Sequence, residues 1–154
     1  MLLTGCRSGE ILRLKWKEVK PDRLNLDQTK TGGRTVMLNN LAIERLKILK
    51  QTKTPPFVFP SPRDARKPRA DITSGWNTIK RAAGLPASLR PHDLRHTYAS
   101  HALLSGESLY TTGKLIGHRN AQSTQRYAHL AGDELQKAAN DIATRVAMLM
   151  EGAG

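Results

Sequence analysis

Arg7, Lys30, His92, Arg95, His118 and Tyr127 are polar side chains set at element ends, at a turn tip or on exposed faces. As a set they offer two guanidinium groups to hold a phosphodiester, two imidazoles and an amine to bond or move protons, and a phenol able to attack phosphorus. Arginine suits such a clamp because its planar fork holds two oxygens and keeps its charge. A phenol of ordinary pKa ~10 is protonated at neutral pH, so it needs a proton acceptor and a cationic surround.

Each member also has a plainer reading. Arg7 can pair with Glu10 on the surface, and a lysine on a hairpin is usually just solvated. Five histidines, His92, His96, His101, His118 and His129, could in principle converge on a metal. No His-Glu-x-x-His pair occurs, however, and Asp93 would point elsewhere on a helix, so neither metal nor cofactor is expected. Tyr98, Tyr110, Trp16 and Trp76 fit core or surface positions better than catalytic ones.

The elements that must position these groups are mostly helical. Residues 91–101, Pro-His-Asp-Leu-Arg-His-Thr-Tyr-Ala-Ser-His, read as a helix opened by proline, with His92 and Arg95 on one face and Leu94, Tyr98 and Ala102 toward a core. Arg7 sits at a helix entrance with Ser8 as the expected N-cap, where free N–H groups favour an anion. Residues 23–39 alternate with a period of two around Lys30-Thr31-Gly32-Gly33, which predicts a hairpin that lifts Lys30 near its tip.

Asn40 is expected to cap a helix over 41–50, and Thr73 another that carries Trp76, Ile79, Lys80 and Ala83 on one face and ends at Gly84. Between them, 57–60 reads as a short buried extended segment, followed by a basic loop of Arg63, Arg66, Lys67 and Arg69 suited to phosphates. Leu109 to Ile116 form a short helix closed by Gly117, which leaves His118 just past its end. Ser123 or Thr124 is expected to begin another helix carrying Arg126, Tyr127 and His129. A terminal helix over 133–150 repeats Leu135, Ala138, Ile142, Val146 and Leu149 as an apolar stripe, to be covered by its own domain or by a neighbouring subunit.

The bulk numbers fit one domain, 1–154, with a partner of opposite charge. The 154 residues are 38% apolar, enough to bury a core, and 25 Lys and Arg against 13 Asp and Glu give a net charge of +12. That balance points to a polyanion, nucleic acid before membrane, and no apolar run approaches the length of a membrane span. A cytoplasmic, nucleoid-associated protein is expected. Cys6 is the single cysteine, which rules out an internal disulfide and a Cys-based zinc site. The start, Met1-Leu2-Leu3-Thr4-Gly5, reads like the end of an apolar helix, so the domain is expected to be truncated at its beginning.

Five ordered segments carry a resemblance: Thr4-Gly5-Cys6-Arg7-Ser8-Gly9-Glu10, Thr29-Lys30-Thr31-Gly32, His92-Asp93-Leu94-Arg95-His96-Thr97, Ile116-Gly117-His118 and Arg126-Tyr127-Ala128-His129. Together they resemble the catalytic domain of the tyrosine recombinase (phage integrase) family, from residue 1 to about 130. The resemblance implies a mainly α fold with a small antiparallel β-sheet (α+β), lacking here the family's upstream DNA-binding domain. It implies that Arg7 and Arg95 clamp the scissile phosphate of double-stranded DNA while Tyr127 attacks, leaving a 3′-phosphotyrosyl link and a free 5′-hydroxyl. Lys30 would protonate the leaving oxygen, His92 would assist proton transfer with the nucleophile, and His118 would bond a nonbridging oxygen. Glu10, Asp93 and His96 would be structural supports. It further implies site-specific recombination without metal or nucleotide triphosphate, and self-association on DNA as a tetrameric synapse of the full-length protein. A DNA-binding module without catalysis and a type IB topoisomerase-like relaxing enzyme remain as alternatives.

Overall fold

Period-two alternation produces the sheet found among the described residues, and helices, three of them followed by a glycine of positive φ, make most of the rest. The computed structural model describes residues 1–27, 32–52, 56–118, 120–130 and 134–151. In order these are α1 (Ser8–Leu12), a 3₁₀ turn (Trp16–Glu18), β1 (Arg23–Leu26), β2 (Arg34–Met37), α2 (Asn40–Thr52), α3 (Thr73–Ala82), α4 (Asp93–Leu104), α5 (Leu109–Ile116), two further 3₁₀ turns (Ala121–Ser123 and Gln125–Leu130), the second standing where a helix is expected from the sequence, and α6 (Glu134–Glu151). This is the expected mainly α fold with a small antiparallel sheet.

β1 and β2 pair antiparallel with Leu24 opposite Val36 and Leu26 opposite Arg34. Leu24, Leu26 and Val36 therefore face one side, where they bury against Cys6, Leu14 and Val58. Fully burying a side chain of this kind contributes roughly 1.5–3 kcal/mol, so this cluster anchors the N-terminal half. A second cluster joins Ala99 and Leu103 of α4 to Ile116 of α5 and to Tyr127. Gly5 stitches the two together. Its φ of +62° is left-handed, and a Cβ there would come within 2.8 Å of the Tyr98 ring and 3.0 Å of Ile116. Only glycine fits both the conformation and the space.

Several local expectations shift by a residue or two. Arg7, not Ser8, occupies the N-cap position of α1, where the Glu10 carboxylate accepts its backbone N–H. The α2 entrance is capped from Asn39 rather than Asn40, its side-chain oxygen accepting from the N–H of Ala42 at 2.9 Å. Asp71 serves α3 in place of Thr73, accepting that residue's N–H at 2.8 Å. At α2 and α3 an oxygen just upstream reaches the free N–H groups first, and at α1 the Glu10 carboxylate folds back to do so.

A larger correction concerns α4, whose buried positions are Arg95, Ala99 and Leu103, while Leu94, Tyr98 and Ala102 are only partly buried. Counting apolar residues placed the arginine outside. It lies inside because a backbone carbonyl receives it, as described below. On α6, the stripe members Ala138, Ile142 and Val146 are exposed.

Candidate active site

Gly5 and Cys6 bring the α1 entrance against the ends of α4 and α5, and Arg7 emerges from that seam. Its Nη2 donates to the Gly117 carbonyl at 3.1 Å and its Nη1 to Glu10 Oε1 at 3.1 Å. Glu10 is buried, and Arg34 from β2 grips it from the other side, Nε to Oε1 at 3.2 Å and Nη2 to Oε2 at 2.9 Å. Burial alone would raise the Glu10 carboxyl, but the bonds from Arg34 and Arg7 prevail and hold it below the usual carboxylate range. One carboxylate thus orients two guanidinium groups.

Arg95 is 2% exposed. Its Nη1 donates to the Gly5 carbonyl, while its buried Nη2 has no partner among the described residues. Burial, then the cations of Arg7 and Arg34, lower this guanidinium to about 10, which leaves it charged at neutral pH. A buried cation with a free N–H group is an incomplete anion site.

α5 ends at Gly117 in the left-handed conformation, φ +69°, and the turn delivers His118 to the same cluster. His118 Nδ1 lies 3.0 Å from the hydroxyl oxygen of buried Thr124. Burial and the cations of Arg95, Arg7 and Arg126 push the imidazole down to about 4, so it is neutral at neutral pH. When the Thr124 hydroxyl donates to Nδ1, the ring proton sits on Nε2, free to bond an anionic oxygen.

Tyr127, on the Gln125–Leu130 turn, is 6% exposed, and its phenol is hydrogen-bonded to His96 Nδ1. Burial raises the phenol above its ordinary value against the opposing pull of Arg126 and Arg95, so it is protonated at rest. His92 is exposed and packs edge-on against His96, with ring centroids 4.9 Å apart at 83°. Of the six expected site residues, Arg7, Arg95, His118 and Tyr127 converge, and His92 stands one ring behind. Lys30 lies outside the described residues.

Arg34, Thr124 and the phenol contact of His96 were not anticipated. Arg34 had a usable signal, because it is in register with Val36 on the core-facing side of β2, where a cation requires a buried partner. Among the described residues, no three His, Cys, Asp or Glu side chains come together as a metal cluster.

Residues 1–134 match the model of the phage integrase family. This chain belongs to that family. The integrase of Escherichia phage P2 is 35% identical over 138 residues, covering 89% of this chain and 38% of that protein. The catalytic domain of bacteriophage HP1 integrase superposes with a TM-score of 0.65 at 26% identity, covering 90% of this chain and 76% of the solved one. XerH site-specific recombinase bound to difH substrate, in its pre-cleavage complex, has the same fold, with a TM-score of 0.71 at 23% identity over 90% of this chain and 43% of that one. This integrase-family chain therefore spans about two-fifths of the length of the phage P2 relative.

Proposed function

We propose that this chain is the catalytic part of a tyrosine recombinase that cuts and rejoins double-stranded DNA through a 3′-phosphotyrosyl bond at Tyr127. The observation that carries the reading is the buried Arg95 guanidinium. One of its N–H groups is fixed by the Gly5 carbonyl and the other is unpartnered, in a cluster with Arg7, neutral His118 and the Tyr127 phenol. A phosphodiester oxygen completes that site, and the same oxygen can take the Nε2 proton of His118 as a hydrogen bond.

In cleavage, the Tyr127 oxygen loses its proton and bonds phosphorus, the bond from phosphorus to the 5′ oxygen breaks, and Lys30 protonates the departing oxygen. Arg7 and Arg95 offset the charge that builds on the phosphoryl oxygens. Attack by a 5′-hydroxyl from another strand reverses the step and exchanges partners. No external energy source is needed, because the phosphotyrosyl link conserves the bond.

The net charge of +12 and the exposed Arg63, Arg66 and Lys67 support duplex DNA as partner. The exposed Ile142, Val146 and Met148 of α6 support its docking on a neighbouring protomer, within a synapse of four copies in the full-length protein. No described helix is long and apolar enough to cross a membrane, and we place the protein with the nucleoid in the cytoplasm.

The test is a protein–DNA adduct that survives denaturant, formed on a random-sequence pool of nicked duplexes and abolished in Tyr127→Phe. DNA retention without any adduct would favour a binding module. Relaxation of supercoiled plasmid with no preference within the pool would favour a topoisomerase-like enzyme.

A further inference from the structure

The residue touching the nucleophile is not the one expected to serve it. The family resemblance implies proton transfer for His92 and support for His96, yet it is His96 whose Nδ1 bonds the Tyr127 phenol. The two rings lie 5.9 Å apart at 49°, and among the described residues the phenol has no other hydrogen-bond partner. His92, at the N-cap of α4 and four residues earlier, stands edge-on behind His96 and is exposed. From solvent inward the order is therefore His92, His96, Tyr127.

We infer that His96 is the catalytic residue that holds the Tyr127 phenol before cleavage and receives its proton during attack. This deepens the recombinase reading and rests on it. The balance is simple. The phenolic O–H bond breaks with its proton going to His96 Nδ1, the oxygen bonds phosphorus, and the 5′ oxygen departs with the proton of Lys30. In rejoining, the 5′-hydroxyl attacks, phosphorus releases the phenolic oxygen, and His96 returns the proton.

The surroundings fit an acceptor that becomes basic only when substrate is present. Burial, Arg126 from the Gln125–Leu130 turn, Arg95 beside it and Arg90 before the helix disfavour an imidazolium, with Asp93 alone opposing them. A neutral His96 facing a protonated phenol leaves the Nδ1 lone pair to accept. An incoming phosphodiester brings negative charge among those same arginines and offsets their effect on the ring. Proton uptake is then coupled to DNA binding.

Two substitutions in the full chain separate holding from accepting. His96→Asn keeps an oxygen near the Nδ1 position that can accept the phenol's hydrogen bond but not its proton, and His96→Phe keeps only the ring. Both are expected to slow adduct formation on the nicked-duplex pool by on the order of 10²-fold or more, with DNA retention unchanged and the acidic limb of the pH–rate profile lost. His92→Asn is expected to slow it less than His96→Asn does. Wild-type rates in His96→Asn would reduce His96 to a tether and overturn the inference, as would a larger loss in His92→Asn. If His96→Phe does not fold, His96→Asn decides alone.

A second readout needs no DNA. In the 15N spectrum of the free protein's imidazoles, Tyr127→Phe should shift His96 Nδ1, and an unmoved resonance would overturn the contact. Absence of any adduct from the wild-type chain would sink the recombinase reading and, with it, this inference.

Discussion

Arg34 and Glu10 form a two-pronged ion pair, Nη2 to Oε2 at 2.9 Å and Nε to Oε1 at 3.2 Å, across the layer between the sheet and the α1 entrance. The same guanidinium lies against Gly117, where a Cβ would fall 2.5 Å from Arg34 Nη1. Arg34 thereby links β2, α1 and the end of α5, the three pieces that fix Arg7 and His118.

Arg34→Ala leaves the buried Glu10 carboxylate with Arg7 alone. Removing one partner of a buried pair typically costs ~3–5 kcal/mol, and the surviving Arg7 bond puts this case near the lower end, about 3 kcal/mol by urea unfolding. The Glu10 carboxyl is depressed in the folded chain, so its contribution is complete above an unfolded value near 4.5 and is lost as pH falls through its folded value. Wild type should therefore lose stability more steeply than Arg34→Ala on acidification below about pH 4.5.

His118 acts at a higher pH. Its folded value of about 4 lies below the ordinary 6.5, so the unfolded chain binds the extra proton in between. Stability is then full above about 6.5 and falls as pH drops toward 4. Burial likewise lowers His92 and His96, which add slope of the same sign. Urea midpoints at pH 7, 6 and 5 should decline in wild type and decline less in His118→Gln. An equal slope in both would contradict this.

Gly5→Ala introduces a methyl group 2.8 Å from the Tyr98 ring at a left-handed backbone. Overpacking of this kind costs ~1–3 kcal/mol, and the αL penalty adds roughly 1 kcal/mol. Because the Gly5 carbonyl also receives Arg95, adduct formation should fall beyond what the lost stability explains. Measuring the adduct rate where the variant is still fully folded separates the two effects.

Truncation after Leu130 removes α6 with its exposed Ile142, Val146 and Met148. The shortened chain should keep its thermal midpoint and lose assembly on DNA, read by native gel or sedimentation. Unchanged assembly would return the helix to a role within its own chain.

What could be read from the sequence obeyed short-range rules. The hairpin followed from alternation at Leu24, Leu26 and Val36, and Gly117 marked the end of α5 because few other residues adopt its conformation. Arg34 escaped because its partners lie far along the chain, at Glu10 and Leu115. His96 escaped for the same reason, its contact with Tyr127 spanning 31 positions. The face of α4 was misread because hydrophobic counting assumes that arginine seeks water. Arg95 instead takes a core position, where the Gly5 carbonyl and an incoming anion replace its hydration.

That placement makes Arg95→Lys the most informative single substitution at the phosphate site. Lysine retains the charge and can still reach the Gly5 carbonyl, but it lacks the planar fork that bonds carbonyl and anion at once. If Arg95 contributes only charge, Arg95→Lys should cleave nearly as well as wild type. If the unpartnered Nη2 is the phosphate donor, adduct formation should fall on the order of 10²–10³-fold while DNA retention changes little. The second outcome is expected. Stability should fall as well, because a lysine ammonium is costlier to bury than a guanidinium, and with no anion bound its remaining N–H groups find no acceptor. Adding inorganic phosphate should therefore raise the thermal midpoint of wild type more than that of Arg95→Lys, a comparison that requires no knowledge of the DNA site.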